Sequence, residues 1–441
     1  MHRIRHRIRG GSAQIDGARG REGMSATLQA SLCEEHADQA AFLWLLRDRA
    51  ARSAAYGLED LAELDDRLEA HLDGLRLAGD AGWEACRALL RQAEGGEVFG
   101  AAIVAVHRWD LRGLARVLDV GGGAPDVSRG IASALGWTPL ERVRRLLPGL
   151  LSGRCPPALQ WLGIAACAAH GEDPGAPLGY ALLARDPRLR ARALRAAGQL
   201  GRVDLLPDVR ASLRADDEAC RFWAAWSAAL LGEGASALVL WELANGGGPF
   251  AAESASMAMR RMAPAVASTW LRKLERSARD PRVPVSAAWA LGDPAAVPWL
   301  LEVAGDPALA RLSGQAIALI TGLDLAAEQL ARRAPSGVRA GPTDDPSDHD
   351  VAMDPDGDLP FPDVAGVSAW WRRRAAEYRP GTRYLLGRAM TREGLEQALR
   401  EGHQVARGAA AVELSLRERG RAVFEVRGPG FAQQEALGQR G

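Results

Sequence analysis

The chain has 441 residues, 47% hydrophobic and 25% charged, which excludes a disordered polypeptide and is too long for one compact core. Lys+Arg and Asp+Glu both number 55, so the formal net charge is zero, and the bulk electrostatic argument for a nucleic-acid binder is removed. Five cysteines without a C-x-x-C pair argue against a disulfide framework or zinc ribbon, and no apolar run of about 18 residues is present to cross a membrane.

Residues 1–23 hold six Arg against Asp16 and Glu22, a charge of +4. They are expected to be a disordered basic arm, with the true start at either Met1 or Met24. Residues 24–96 read as an N-terminal helical cap. Leu61, Leu64, Leu68, Leu72 and Leu75 form one helical stripe, and Asp80 is the expected N-cap of a further helix carrying Trp83 and Leu89. Alanine makes up about a fifth of the chain and only one basic residue, Lys273, is a lysine. That bias toward Ala and Arg favours helix throughout.

Residues 97–330 repeat. Asp186 precedes Gly201 by the same interval that separates Asp217 from Gly232, and Asp280-Pro281 leads to Gly292 in a shorter copy. Another copy opens at Asp306-Pro307. In each, Asp caps a first helix, Gly ends it in the left-handed conformation, and a second amphipathic helix follows, as in Leu205, Leu206, Val209 and Leu213. One helix pair cannot bury its apolar face, so about seven such units are expected to stack as a solenoid.

The segments DPRLRARALRAAGQLG, LLPDVRASL and GDPAAVPWLLEV resemble HEAT repeats of the short bacterial type, also found in phycobilin-lyase subunits. AAFLWLLRDRA, GLEDLAELDDRLEAHLDGL and RPGTRYLLG together resemble a family of uncharacterised bacterial HEAT-repeat proteins, over nearly all of the chain after Met24. The resemblance implies an all-α HEAT-like α-solenoid and brings no catalytic residues. Members of that family are often encoded near type VI secretion genes.

Residues 331–363 are expected to be an acidic linker rich in Pro and Asp, with eight Asp and no Lys or Arg between 342 and 363. The remainder, 364–441, reads as a small, mostly helical C-terminal domain with 14 Arg and 8 Glu. Its expected elements are helices at 368–378, 391–401 and 404–416 and a strand at 422–426.

Asp354, Asp356 and Asp358 are weak candidates for a hard cation such as Ca²⁺, with Gly357 for the turn, against the plainer reading of a solvated linker. Trp370, Trp371, Arg372, Arg373, Arg379 and Arg383 mix aromatic and guanidinium groups that could clamp a partner; alternatively a tryptophan anchors the tail's core and the arginines face the linker. Of the seven repeat tryptophans, most are expected to fill the core, with Trp223 and Trp226 the candidates for surface anchors. No histidine spacing matches a zinc motif, and no nucleophile has a base beside it. The expected function is therefore a non-enzymatic scaffold, adaptor or chaperone that binds a protein on its repeat surface, needs no cofactor and is cytoplasmic. The alternatives are an enzyme or lyase-type accessory subunit with a pocket in the solenoid, and nucleic-acid binding through the Arg-rich tail, which zero net charge disfavours.

Overall fold

A computed structural model describes residues 13–92, 94–121, 125–335, 347 and 354–439. The arm up to residue 12 and most of the expected linker lie outside these. The described chain is all-α, with 22 α-helices and two short strand pairs. It divides into two compact units, Met1–Arg47 with Leu64–Arg142, and Asp48–Glu63 with Val143–Gly441. This division falls inside the stretch that reads as early repeats, not at residue 96. The C-terminal segment shares a unit with the repeats.

The first unit is built on α1 (Ala13–Ala50), α2 (Leu58–Leu77), α3 (Asp80–Leu89), α4 (Gly95–Arg108), α5 (Leu111–Gly121) and α6 (Pro125–Trp137). Residues 13–23 are helical, where disorder is expected from the sequence. Leu64, Leu68, Leu72 and Leu75 are all buried, as their helical spacing requires. Helix α4 is apolar all round, with Val98 to Val106 buried, and forms the centre of this unit. Trp44 stacks on Phe99 at 5.8 Å, and Phe99 meets Trp137 edge-on at 5.7 Å. Arg47 and Asp65 form an ion pair of 2.9 Å with both side chains buried. Asp80 does not cap α3: the cap is Gly79, and the Asp80 carboxylate instead pairs with Arg108.

The second unit continues with α7 (Leu140–Leu150), α8 (Pro157–Ala169), α9 (Ala176–Leu182), α10 (Pro187–Gln199), α11 (Leu206–Ala211), α12 (Glu218–Leu230), α13 (Ser236–Gly246), α14 (Ala251–Arg261), α15 (Pro264–Ser277), α16 (Arg282–Leu291), α17 (Val297–Val303) and α18 (Ala310–Thr321). Helices α8, α10, α12, α14, α16 and α18 are the first, or A, helices of successive pairs, and each packs on the next. Asp186 and Asp217 accept from the N–H groups of Leu189 and Cys220, each at 2.8 Å. Gly201 and Gly232 follow at φ +66° and +94°. The later copies vary this punctuation: Pro281 rather than Asp280 is the cap of α16, and α18 begins only at Ala310. The α14–α15 pair carries neither signal, starting after Phe250 and turning through an extended Met262.

Strands β1 (Ala331–Arg332) and β2 (Phe361–Pro362) pair antiparallel, followed by α19 (Val364–Arg374), the hairpin β3 (Tyr384–Leu385) and β4 (Arg388–Ala389), then α20 (Arg392–Glu401), α21 (Gln404–Arg417) and α22 (Gly430–Ala436). The RPGTRY stretch leads into this hairpin, whose turn residues Leu386 and Gly387 both have positive φ, the backbone sense that suits a two-residue turn. Residues 422–425, where a strand is expected, belong to neither strand pair. The C-terminal helices have their own core around Leu395, Leu399, Ala410 and Leu414, which also takes in Leu319 of α18.

Candidate functional site

An α-helix leaves its last carbonyls without partners. In this chain the C-terminal segment fills that need along a row of A helices. The Val423 N–H donates to Gln199 O of α10 at 2.8 Å, and Arg419 Nε donates to Leu231 O, just past α12, at 3.1 Å. Arg383 donates to Arg260 O of α14 at 3.2 Å and to Ala290 O and Leu291 O of α16 at 3.0 and 2.9 Å. Tyr384 N–H donates to Gly292 O at 2.8 Å; the N–H groups of Leu386 and Gly387 donate to Leu319 O and Ile320 O of α18 at 2.6 and 3.1 Å. Tyr378 adds its hydroxyl to Thr321 O at 2.7 Å. Five successive A helices thus end on one segment, and three of those ends receive an arginine, the charge their dipoles favour.

The faces of the same A helices carry a stripe of arginine and tryptophan. Arg195 of α10 lies over Trp223 of α12 at 4.6 Å, and Arg260 of α14 over Trp289 of α16 at 4.8 Å. Trp223 meets Trp226 edge-on at 5.5 Å. Arg260 is buried and is neutralised by Glu413 of α21, whose Oε1 lies 3.1 Å from Arg260 and 2.5 Å from Arg383. Burial lowers the Arg260 pKa, and the Glu413 carboxylate opposes that shift. Among the described residues Arg192 and Arg195 have no such carboxylate within ion-pair distance. Arg192 is 9% exposed; its Nη1 donates to the neutral Gln199 Oε1 at 2.8 Å, and its Nε is buried without a partner. Burial, and then Arg195 beside the one and Arg427 beside the other, lowers Arg192 to about 9 and Arg195 to about 10, and the Glu425 carboxylate opposes both shifts.

All seven repeat tryptophans, Trp161, Trp223, Trp226, Trp241, Trp270, Trp289 and Trp299, are half-buried against the cores. The expectation that most of them fill the interior is corrected: that space is filled mostly by Ala, Leu and Val, and the indoles pack against its edge. Trp370 and Trp371, candidates for partner contact, are instead buried in the core that α16, α17 and α18 share with α19, at 4% and 9% exposure. Arg383 is likewise committed, to three carbonyls and Glu413. Arg372, Arg373 and Arg379 remain exposed. The structure therefore does not gather the 370–383 candidates into one site. Trp223 and Trp226 are the expected pair that it leaves half-open.

The aspartates of the expected linker are seated, which corrects the picture of a solvated, extended tether at 354–363. Asp356 is 5% exposed and takes both Arg282 Nη groups at 2.7 and 2.6 Å. Arg311 donates to Asp356 O at 2.9 Å, pairs with Asp354, and lies over Phe361 at 4.5 Å. Asp358 pairs with Arg49 at 2.9 Å. Three different arginines thus hold Asp354, Asp356 and Asp358, so the carboxylates do not converge on a cation. Among the described residues no group of three His, Cys, Asp or Glu side chains is placed to hold one. The arginines facing these aspartates come from α1, α16 and α18, not from the tail.

An open recess of about 530 Å³ lies between the α12 start and the α13 end, where Glu218 faces the Gly246–Gly248 turn. Its charged lining residues Arg214, Glu218, Arg221 and Glu242 include no nucleophile paired with a base. Among the described residues no helix is long and apolar enough to cross a membrane. Sequence reasoning missed Arg192, Arg195, Arg260 and Glu413; the available signal was the three-residue spacing of the first two on one helix face. No family model matches the chain, and no curated protein and no solved structure matches it either.

Proposed function

We propose that the protein is a non-enzymatic binding scaffold or adaptor whose A-helix stripe around Trp223 and Trp226 receives another protein. The observation that carries this reading is the half-open Trp–Arg stripe on successive A helices. Trp and Arg are the residue types that dominate interface energetics, because each offers a large flat contact with a polar edge. A repeat array presents such residues at regular spacing along an extended face. The HEAT-like repeats support the same reading, and so does the family resemblance, from which a component of secretion machinery is the first partner to test.

A nucleic-acid role finds less support, because Arg383 and Arg407 of the C-terminal segment are tied to internal acceptors. The test is crosslinking of the tagged full chain in its own host cells, followed by mass spectrometry, in parallel with Trp226→Ala. The reading expects one reproducible partner that the Trp226→Ala chain loses while keeping its native circular dichroism. Capture that is unchanged by Trp226→Ala, or no reproducible partner at all, contradicts it.

A further inference from the structure

The two Arg–Trp stacks of the A-helix face are alike in geometry but not in charge. At Arg260 and Trp289 the chain supplies its own carboxylate, Glu413 of α21, shared between Arg260 and Arg383. Among the described residues neither Arg192 nor Arg195 has a carboxylate within ion-pair distance. The other charges nearby are Glu425, which favours both guanidiniums from beyond that distance while its Oε1 accepts from the Arg427 N–H at 3.0 Å, and Arg427, which repels Arg195. Arg192 meets only the neutral Gln199 oxygen and keeps a buried, unpartnered Nε. A buried guanidinium without a counter-charge is unfavourable, and an incoming anion relieves it. The flat Trp223 ring beside Arg195 favours a ligand that also brings an apolar stem, as a glutamate side chain does.

We propose that Arg192, Arg195 and Trp223 form a receptor for a carboxylate side chain on an acidic segment of a partner protein, held as Glu413 is held at Arg260. This rests on the protein-binding reading above and specifies the chemistry that the partner must present. It also explains why the positive charge of α10 persists beside a tryptophan half-open to solvent: the counter-ion is intermolecular.

The test uses the full chain and a fluorescein-labelled peptide of alternating Glu and Ala, read by anisotropy. The expected result is saturable binding that weakens about tenfold or more in Arg195→Gln and in Arg192→Gln, the loss typical of a charge-assisted contact. Arg372→Gln with Arg373→Gln, a larger loss of charge at exposed positions, leaves affinity within about twofold, and a Gln–Ala peptide does not bind. Arg195→Lys keeps the charge without the planar fork and gives an intermediate loss, so a folded variant still reports if Arg195→Gln unfolds. Equal loss in the exposed double variant, equal binding of the Gln–Ala peptide, or displacement by equimolar inorganic phosphate overturns the proposal. If the peptide fails while a Trp226-dependent partner is still captured, the carboxylate receptor is wrong and the scaffold reading stands. If both fail, the scaffold reading falls too.

Discussion

His403 caps α21 through its Nδ1, which accepts from the Ala406 N–H at 3.4 Å, and burial pushes its pKa down to about 4. The unfolded chain takes up a proton near pH 6.5 that the folded chain refuses until about pH 4. Its contribution is therefore complete above pH 6.5 and is lost as the pH falls toward 4. About 2 kcal/mol is expected, discounted for the partly exposed ring. His403→Asn keeps a good cap and should flatten the pH dependence of chemical denaturation between pH 6.5 and 4. An unchanged slope would remove His403 as its cause. His71, beside His36 at 3.0 Å and also lowered by burial, contributes with the same sign.

Arg192 carries the opposite lesson. Its charge is buried without a carboxylate, so Arg192→Met, of similar length and apolar, should stabilise the folded chain by about 1–3 kcal/mol while abolishing peptide binding. A drop in thermal midpoint would show that the Gln199 bond outweighs desolvation. Glu413 behaves the other way. Glu413→Gln strands Arg260 and Arg383 at 5% and 14% side-chain exposure and should cost about 3–5 kcal/mol in denaturant melts. A loss under about 1 kcal/mol would mean that the carbonyl bonds of Arg383 suffice.

At the scale of elements, the repeats were legible where side chains punctuate them. Asp186 and Asp217 cap, and Gly201, Gly232 and Gly292 end, because those conformations favour those residues. The α14–α15 pair was silent because it starts and ends on backbone geometry that Phe250 and Met262 can adopt without special chemistry. The A-helix ends impose a second requirement that the sequence does not display. A Cβ at Gly292, φ +73°, would lie 2.6 Å from Tyr384 O, whereas one at Gly171, φ +65°, would meet nothing within 4 Å. Gly171→Ala should therefore cost about 1 kcal/mol for its backbone alone. Gly292→Ala should cost about 2–3 kcal/mol or more, since the hairpin must also move. Equal losses in denaturant melts would mean that the hairpin does not press on α16.

For the second unit as a whole, the neutral net charge conceals specific pairings. The sequence shows an acidic stretch and a basic C-terminal segment, which suggests that the two attract each other. In the structure, Asp354, Asp356 and Asp358 go to Arg311, Arg282 and Arg49, and the tail's arginines Arg383 and Arg419 go to helix ends. The helical class was readable from composition and period. The docking was not, because a row of backbone carbonyls leaves no mark on the side chains that make it, and Arg383 looks the same in sequence whether it meets a phosphate or a carbonyl. The site was half legible for a related reason. Trp223 and Trp226 stand out by type, whereas Arg192 and Arg195 matter through what they lack, which only the packing of α10 against α12 and residues 423–427 reveals.

The central claim is that the C-terminal segment closes the A-helix ends and leaves Trp223 and Trp226 half-open. Hydrogen exchange of the full chain, followed by mass spectrometry at residue level, tests it most directly. The amides of Tyr384, Leu386, Gly387 and Val423, which lie outside any helix, should exchange as slowly as those in the last turns of α10, α16 and α18, since all open together. Exchange of those four amides at the rate of an unprotected chain, with the A helices still protected, would contradict the account and return the segment to a tethered tail.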